Sequence, residues 1–413
     1  MNSRPGRYIA GELPPGRRVA QLRARRGMTQ QIFANRIGKS KSWVDKVERG
    51  LRNLDRFSTI ETVAEVLGVT PEILLSKAAR WPEPIGAPAD ALERVRATLA
   101  CYDTTGFAAG RPVPPSADEL TRRVNHAWEA YRHAHHPQVL RMLPDLLGDA
   151  RHLATVTSPA DTANLLVRTY RLAAQVLVKL GEAELAWLVA DRAMTAAAGD
   201  PRRTAMAAIP LAQALRASNR GRLAMTAATT AVQQLTPTPT RHTPPDHLAL
   251  AGIVQIQAAL AAATCDDPTA VRHLTNHAAH LAATHRDHPH HNGGGDLDFA
   301  PIMVDLARAL TAAELGDSQQ AITLHRHATN GDAWRWLPAE HRAAHLIDIS
   351  RAYHDLGDHH AAGQALVTAD QIAPAETRNR PAAHAALTAL LRTGPTSADV
   401  TRLATTIGLI IQR

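Results

Sequence analysis

The chain has almost no cysteine: Cys101 and Cys265 are the two in 413 residues. They are far apart and lack metal-ligand spacing, so a disulfide framework and a cysteine zinc site are both excluded and a reducing compartment is expected. Aromatic residues make up only 4%. Their scarcity beside abundant alanine disfavours sheets and favours closely packed helices. No run approaches the roughly 20 apolar residues of a membrane span, and the first 18 residues lack the apolar core of a signal peptide. Export and membrane insertion are therefore not expected, and a cytoplasmic location is. Lysine is also scarce, with five in the chain, three of them (Lys39, Lys41, Lys46) within eight residues.

The charge that is present is unevenly placed. Residues 1–80 hold 16 Lys/Arg against 7 Asp/Glu, whereas the remaining 333 residues are nearly balanced at 30 against 31. A short basic module on a neutral body is the electrostatic footprint of a nucleic-acid binder. The length predicts more than one domain, and local signals divide it. A flexible arm is expected over 1–15, a compact helical module over 16–75, a linker with one helix over 76–115, and a long helical body over 116–413. The linker reading rests on three prolines in 76–90, a helix over 91–99 and a further break at 104–115. Ser116 and Glu119 then form a capping box that opens the body.

Within the module, stops and caps predict five helices. A basic amphipathic helix covers 17–26 and ends at Gly27. Thr29 caps a helix over 30–37, and Gly38 permits the sharp turn that other residues resist. Ser40 caps a helix over 41–49, ended by Gly50. Ser58 and Glu61 form a capping box for a fourth helix, and Thr70-Pro71 opens a fifth. Two helices about a glycine turn, the second basic, make the helix-turn-helix arrangement. Val44 and Val47 face the core of this module, which leaves Lys41, Ser42, Asp45, Lys46 and Arg49 on the other faces. Lysines so placed in a major groove can donate to guanine O6 and N7. Asp45 can accept from a cytosine amino group or orient a neighbouring cation.

The stretch TQQIFANRIGKSKSWVDKVERG resembles the Xre/Cro-repressor class of helix-turn-helix domains. Thr29, Gln30, Ala34, Gly38, Ser40, Val44, Val47, Glu48, Arg49 and Gly50 match its pattern over about 60 residues. The resemblance implies that Lys41, Ser42 and Lys46 read bases, and that Gln30, Ser40 and Arg52 hold the phosphate backbone; Asp45 joins the base-reading candidates and Arg49 the backbone ones. It assigns Glu48 a structural role. Gly38-Lys39-Ser40 is not a phosphate-binding loop, because Phe33 stands where that motif needs glycine.

In the body, Tyr353, Gly357, Ala362, Leu366, Ala369 and Pro374 are spaced as in the tetratricopeptide repeat. Weaker copies centre on Gly181, Asn219, Asp266 and Gly316. The expected fold is all-α: a five-helix helix-turn-helix domain, then an α-solenoid of tetratricopeptide-like helix pairs. First helices of such pairs line a concave face. Counting back from each turn puts Arg168, Arg171, Gln175, Met206, Ile209, Gln213, Arg216, Ile253, Ile256, Met303, Leu306 and Leu310 there as ligand-binding candidates. That surface is apolar in the middle and basic toward its start, suited to a peptide or small amphiphile with an anionic end.

Twenty-two histidines invite a metal reading. The densest patch, His285, His288, His290 and His291, lies in a glycine-rich loop, and His341 and His345 lack the intervening Glu of a zinc protease. No metal, cofactor or catalytic motif is expected, and the chain is not read as an enzyme. The two-domain order resembles Xre-type regulators with tetratricopeptide sensor domains, peptide-pheromone receptors among them. The alanine- and arginine-rich, lysine-poor composition looks actinobacterial. The expected function is a homodimeric, sequence-specific DNA-binding regulator with a double-stranded, palindromic operator and a peptide or small-molecule ligand. The alternative is a DNA-localised scaffold whose repeats recruit a protein.

Overall fold

The computed structural model describes residues 16, 19–20, 22–23, 28–52, 57–67, 87–101, 115–197, 199–236, 243–286 and 299–409. The expected arm over 1–15 and the fifth helix of the module lie outside them. The described residues are helical with no strand, and the chain divides into two compact units, Met1–Gly86 and Ala87–Arg413.

In the first unit, α1 is Gln30–Arg36, α2 is Lys41–Glu48 and α3 is Phe57–Val66. Their core joins Val19, Met28, Phe33, Ala34, Ile37, Val44, Val63, Ala64 and Leu67. The helix α3 begins at Phe57, one residue before Ser58; the side chains of the expected capping box lie outside the described ones.

The second unit opens with α4, Ala87–Ala100. The one helix expected within 76–115 is present and begins four residues earlier than the expected 91–99. Pro88 does not break the helix, because a first-turn proline lacks only an N–H that has no helical partner anyway. Ala91, Val95 and Leu99 of α4 are buried in the main core of this unit. Helix pairs follow. They are α5 (Ala117–Arg132) with α6 (His136–Val156), α7 (Pro159–Lys179) with α8 (Ala183–Ala197), and α9 (Pro201–Ala217) with α10 (Gly221–Leu235). Next come α11 (Pro245–Ala263) with α12 (Pro268–Arg286) and α13 (Pro301–Glu314) with α14 (Ser318–Thr329). After the short α15 (Asp332–Trp336), α16 (Ala339–Asp355) pairs with α17 (His359–Ile372). Helices α18 (Pro374–Asn379), α19 (Pro381–Thr393) and α20 (Ala398–Thr406) finish the unit.

One turn recurs between paired helices. Gly181, Asn219, Asp266, Gly316 and Gly357 all have left-handed φ, between 55° and 83°. These are the five turn positions expected from the repeat spacing. In each turn the next residue's amide donates back five residues: Glu182 to Leu177, Arg220 to Leu215, Asp267 to Ala262, Asp317 to Ala312, Asp358 to Tyr353. This is the Schellman closure, which satisfies a carbonyl that the helix end leaves unpaired. Asp267, Asp317 and Asp358 then cap the second helix by accepting from the amides of Ala270, Gln320 and Ala361. A sixth copy escaped the spacing analysis. Ala134 has φ 59°, and the His135 amide donates to the Ala130 carbonyl at 2.8 Å. Alanine gives no sequence sign of a left-handed turn.

The second helices meet their partners through alanine, as expected. Ala186, Ala190, Ala193, Ala224, Ala228, Ala278, Ala321, Ala362 and Ala369 are fully buried. First helices also pack on first helices, through α5, α7, α9, α11, α13, α16 and α19 in turn. Helix α11 is long and apolar enough to cross a membrane, but it is the central core helix, 72% buried inside the unit. At Gly252 in its middle, an added Cβ would lie 2.1 Å from the ring of Phe299. Gly252→Ala should therefore destabilise this unit by roughly 1–3 kcal/mol despite alanine's better helix propensity. A lowered urea midpoint of the full chain would report it.

Candidate nucleic-acid interface

A side-chain cap sets the N-terminus of each helix in the helix-turn-helix. The Thr29 hydroxyl accepts from the Ile32 amide at 3.2 Å, and Ser40 Oγ accepts from the Trp43 amide at 3.1 Å. Between them Gly38 takes φ 64°, which lets the Lys39 amide reach the Ala34 carbonyl at 2.9 Å. Ala34 and Phe33 have no exposed surface where α1 and α2 cross.

The orientation of α2 is fixed by its buried side. Val44 and Val47 are about 1% exposed, and Glu48 is 5% exposed. The carboxylate of Glu48 joins three segments. Arg23 donates to it twice, at 2.6 and 3.0 Å, and Gln30 Nε2 donates at 2.8 Å. Arg23 also donates to the Met28 carbonyl at 2.6 Å. The hydrogen bond that Arg23 donates to Glu48 raises its pKa despite its partial burial. Glu48 is thus structural, as its position implied. Arg23 was not singled out in the sequence. A basic residue 25 positions ahead of a buried Glu is visible only once the helices are packed.

On the opposite side, Lys41, Ser42 and Lys46 are exposed and Asp45 is half-buried. Arg49 and Arg52 are exposed beyond the helix end, and Arg49 NH1 lies 3.5 Å from Asp45 Oδ2. Asp45 thereby orients a cation, one of the two roles open to it. Of the residues expected to hold phosphate, Ser40 is exposed and keeps its hydroxyl hydrogen, because its oxygen is the acceptor in the cap. Gln30 has one amide hydrogen committed to Glu48. Apart from Gln30, which starts α1, the base-reading and backbone candidates therefore lie along one stretch, from Ser40 through Arg52.

The ligand candidates of the second unit do not form an open apolar groove. Met206 and Ile209 are 1–2% exposed and belong to the main core. Ile253 and Ile256 are buried in the same core. Leu306 is buried in a small cluster with Ile302, Ala328 and Leu337, against which Met303 packs. These apolar positions face neighbouring helices, because first helices pack on first helices on both sides. Arg171 and Gln175 are buried as well, with the Arg171 guanidinium 4.8 Å above the Trp128 ring. Arg168, Gln213, Arg216 and Leu310 stay partly accessible, and Arg168 donates to Asn125 at 2.7 Å. Burial lowers the pKa of Arg216, opposed by Asp348 and Glu314.

Sequence reasoning also missed a set of buried polar groups. His325 and His345 share a 3.0 Å hydrogen bond between stacked rings. Burial lowers their pKa values to about 4 and about 3. His136 is lowered to about 3 by burial and by Lys179. Among the described residues no group of three or more His, Cys, Asp or Glu has the geometry of a metal site.

Residues 16–75 match the family model described as a helix-turn-helix domain. No curated protein matches the chain. Among solved structures it is similar to Bacillus thuringiensis PlcR in complex with the peptide PapR7 and DNA, with 13% identity and a TM-score of 0.31 over 86% of this chain and 98% of that one. It is also similar to a Rap protein complexed with competence and sporulation factor, with 12% identity and a TM-score of 0.42 over 95% of this chain and 100% of that one.

Glu48→Ala should leave Arg23 buried without its partner and cost about 3 kcal/mol in the first unit. Faster amide exchange at Phe33 and Val44 in the full chain is the expected readout. A second expectation concerns acid. An unfolded imidazole binds its proton near pH 6.5, whereas His136, His325 and His345 bind theirs only near 3–4. Between those values the unfolded chain takes up more protons, so stability is full above pH 6.5 and falls as pH drops toward 4. The urea midpoint at pH 7, 6 and 5 should decline in order, and His345→Gln should make the decline shallower.

Proposed function

We propose that this chain is a cytoplasmic transcriptional regulator of the Xre type, and not an enzyme. Its first unit reads double-stranded DNA. The observation that carries this reading is the division of α2 into two sides. Val44, Val47 and Glu48 are buried, and Lys41, Ser42 and Lys46 are left in solvent on the other side. Positions 41, 45 and 49 recur every four residues, so they form one ridge of the helix. A helix with this exposed side fits a major groove, where Lys41 on the ridge and Lys46 beside it can donate to guanine O6 and N7. Ser40 before the helix, Arg49 at the end of the ridge and Arg52 beyond it are assigned to the phosphate backbone. The basic excess confined to residues 1–80 supports the same assignment.

The second unit is assigned ligand sensing and dimerisation. Two linked reading heads on a palindromic site bind far more tightly than one. A peptide or small amphiphile with an anionic end suits the accessible cations, Arg168 and Arg216, at its early helix pairs. Such a ligand alters DNA binding only by the difference in its affinity for two forms of the unit.

Selection of bound sequences from random duplexes tests the proposal and should return paired half-sites containing G. Lys41→Ala and Lys46→Ala should each relax base preference and cost roughly 1–3 kcal/mol of binding. Arg52→Ala should weaken all sequences alike and flatten the salt dependence. An unchanged operator preference in Lys41→Ala would defeat the assignment of the reading side.

A further inference from the structure

The last helices of the second unit return to its first ones. Helix α16 packs on α5, and α18 packs on α6. The seam between them is polar and buried. Lys179, at the end of α7, forms ion pairs with Glu340 of α16 and with Glu376 of α18, the latter at 2.9 Å. His136 Nε2 lies 3.3 Å from Glu376, and the Tyr131 hydroxyl donates to Glu340 at 3.4 Å. From the outer side, Arg380 donates to Asp348 at 2.8 Å and lies 3.7 Å from Glu376, and His341 lies 3.4 Å from Glu340. Glu376 has no exposed side-chain surface, and Glu340 has 6%. These bonds span 197 and 209 residues of sequence.

Apolar packing contributes little across the same seam. One large core is built from residues 91–307. Another is built from 309–407 and takes only Ala134 from the early helix pairs. Ala134 and the contact of Pro381 with Gly181 apart, each core is built without the seam. A buried ion cluster is also a poor choice for simple adhesion, because desolvation offsets most of its attraction and apolar residues hold as well or better. What it does supply is an all-or-none geometry. Removing one charge leaves the others buried without compensation.

We infer that the cluster of Lys179, Glu340 and Glu376 is an electrostatic latch that closes the repeat unit on itself, and that α16–α20 part from α5–α7 when it is broken. Among the described residues Lys179 is the one cation paired with both carboxylates from the early side, so it is the bolt. Opening withdraws Ala134 from the late core and otherwise leaves both apolar cores intact, exposes Tyr131, Lys179 and the two glutamates together, and changes the spacing between the early and late helix pairs. The latch is a property of the second unit alone and needs neither DNA nor ligand.

Hydrogen exchange and small-angle scattering on the full chain test it. Lys179→Met keeps most of the stem and removes the charge. Exchange should accelerate at least about 10-fold in 117–135 and 374–393 while 245–286 stays at the wild-type rate, and the radius of gyration should rise. Glu340→Gln, a milder change, should give a smaller acceleration in the same two segments. Lys179→Met/Glu340→Gln/Glu376→Gln, which removes all three charges, should return both segments to within about twofold of wild type. Wild-type exchange and radius in both single variants would overturn the latch. Equal acceleration in 245–286 would overturn it too, since the cluster would then be an ordinary stabiliser of the whole unit. Failure of the triple variant to restore closure would show that charge does not hold the seam.

Discussion

The long second unit depends on one constraint: two helices must reverse within three or four residues and still lie close enough to touch along their length. The reversal comes from a left-handed residue followed by an amide that bonds back five positions, and it occurs six times between residues 134 and 358. In the later pairs the closeness comes from alanine, which removes side-chain bulk from the second helix; in the first pair, leucines of α6 fill the space instead.

The same economy governs the first unit on a smaller scale. Gly38 turns the chain, Ala34 permits the crossing, and the Glu48 carboxylate ties α2 to two other segments at once. Rigidity of α2 matters because groove readout needs several donors held in fixed relation, and a rocking helix would blur their spacing. Polar groups carry the long-range ties in both units. In the first, one carboxylate joins segments 18 and 25 residues apart; in the second, two carboxylates join segments about 200 residues apart.

What could be read from the sequence was whatever is local. Thr29, Ser40 and Ser116 all accept the capping bonds their positions called for. The turns at Gly181, Asn219, Asp266, Gly316 and Gly357 were visible because glycine, Asn and Asp tolerate positive φ. Ala134 was not, because its methyl is buried among residues 309–407 and packing there holds a backbone that alanine does not favour. The apolar ligand candidates failed for a related reason. Counting back from a turn says which side of a helix a residue is on, but not how tightly the next pair closes over it. The seam was illegible by distance. Its one clue was compositional, since Lys179 is the sole lysine after residue 80.

The division of labour on α2 has an evolutionary consequence. Stability rests on Val44, Val47 and Glu48, whereas Lys41, Ser42 and Lys46 stand in solvent on the far side. Mutations at the exposed positions leave the fold's own contacts untouched. Paralogues of this module can thus change the chemistry of this exposed side one residue at a time, with no folding-defective intermediate to cross on the way.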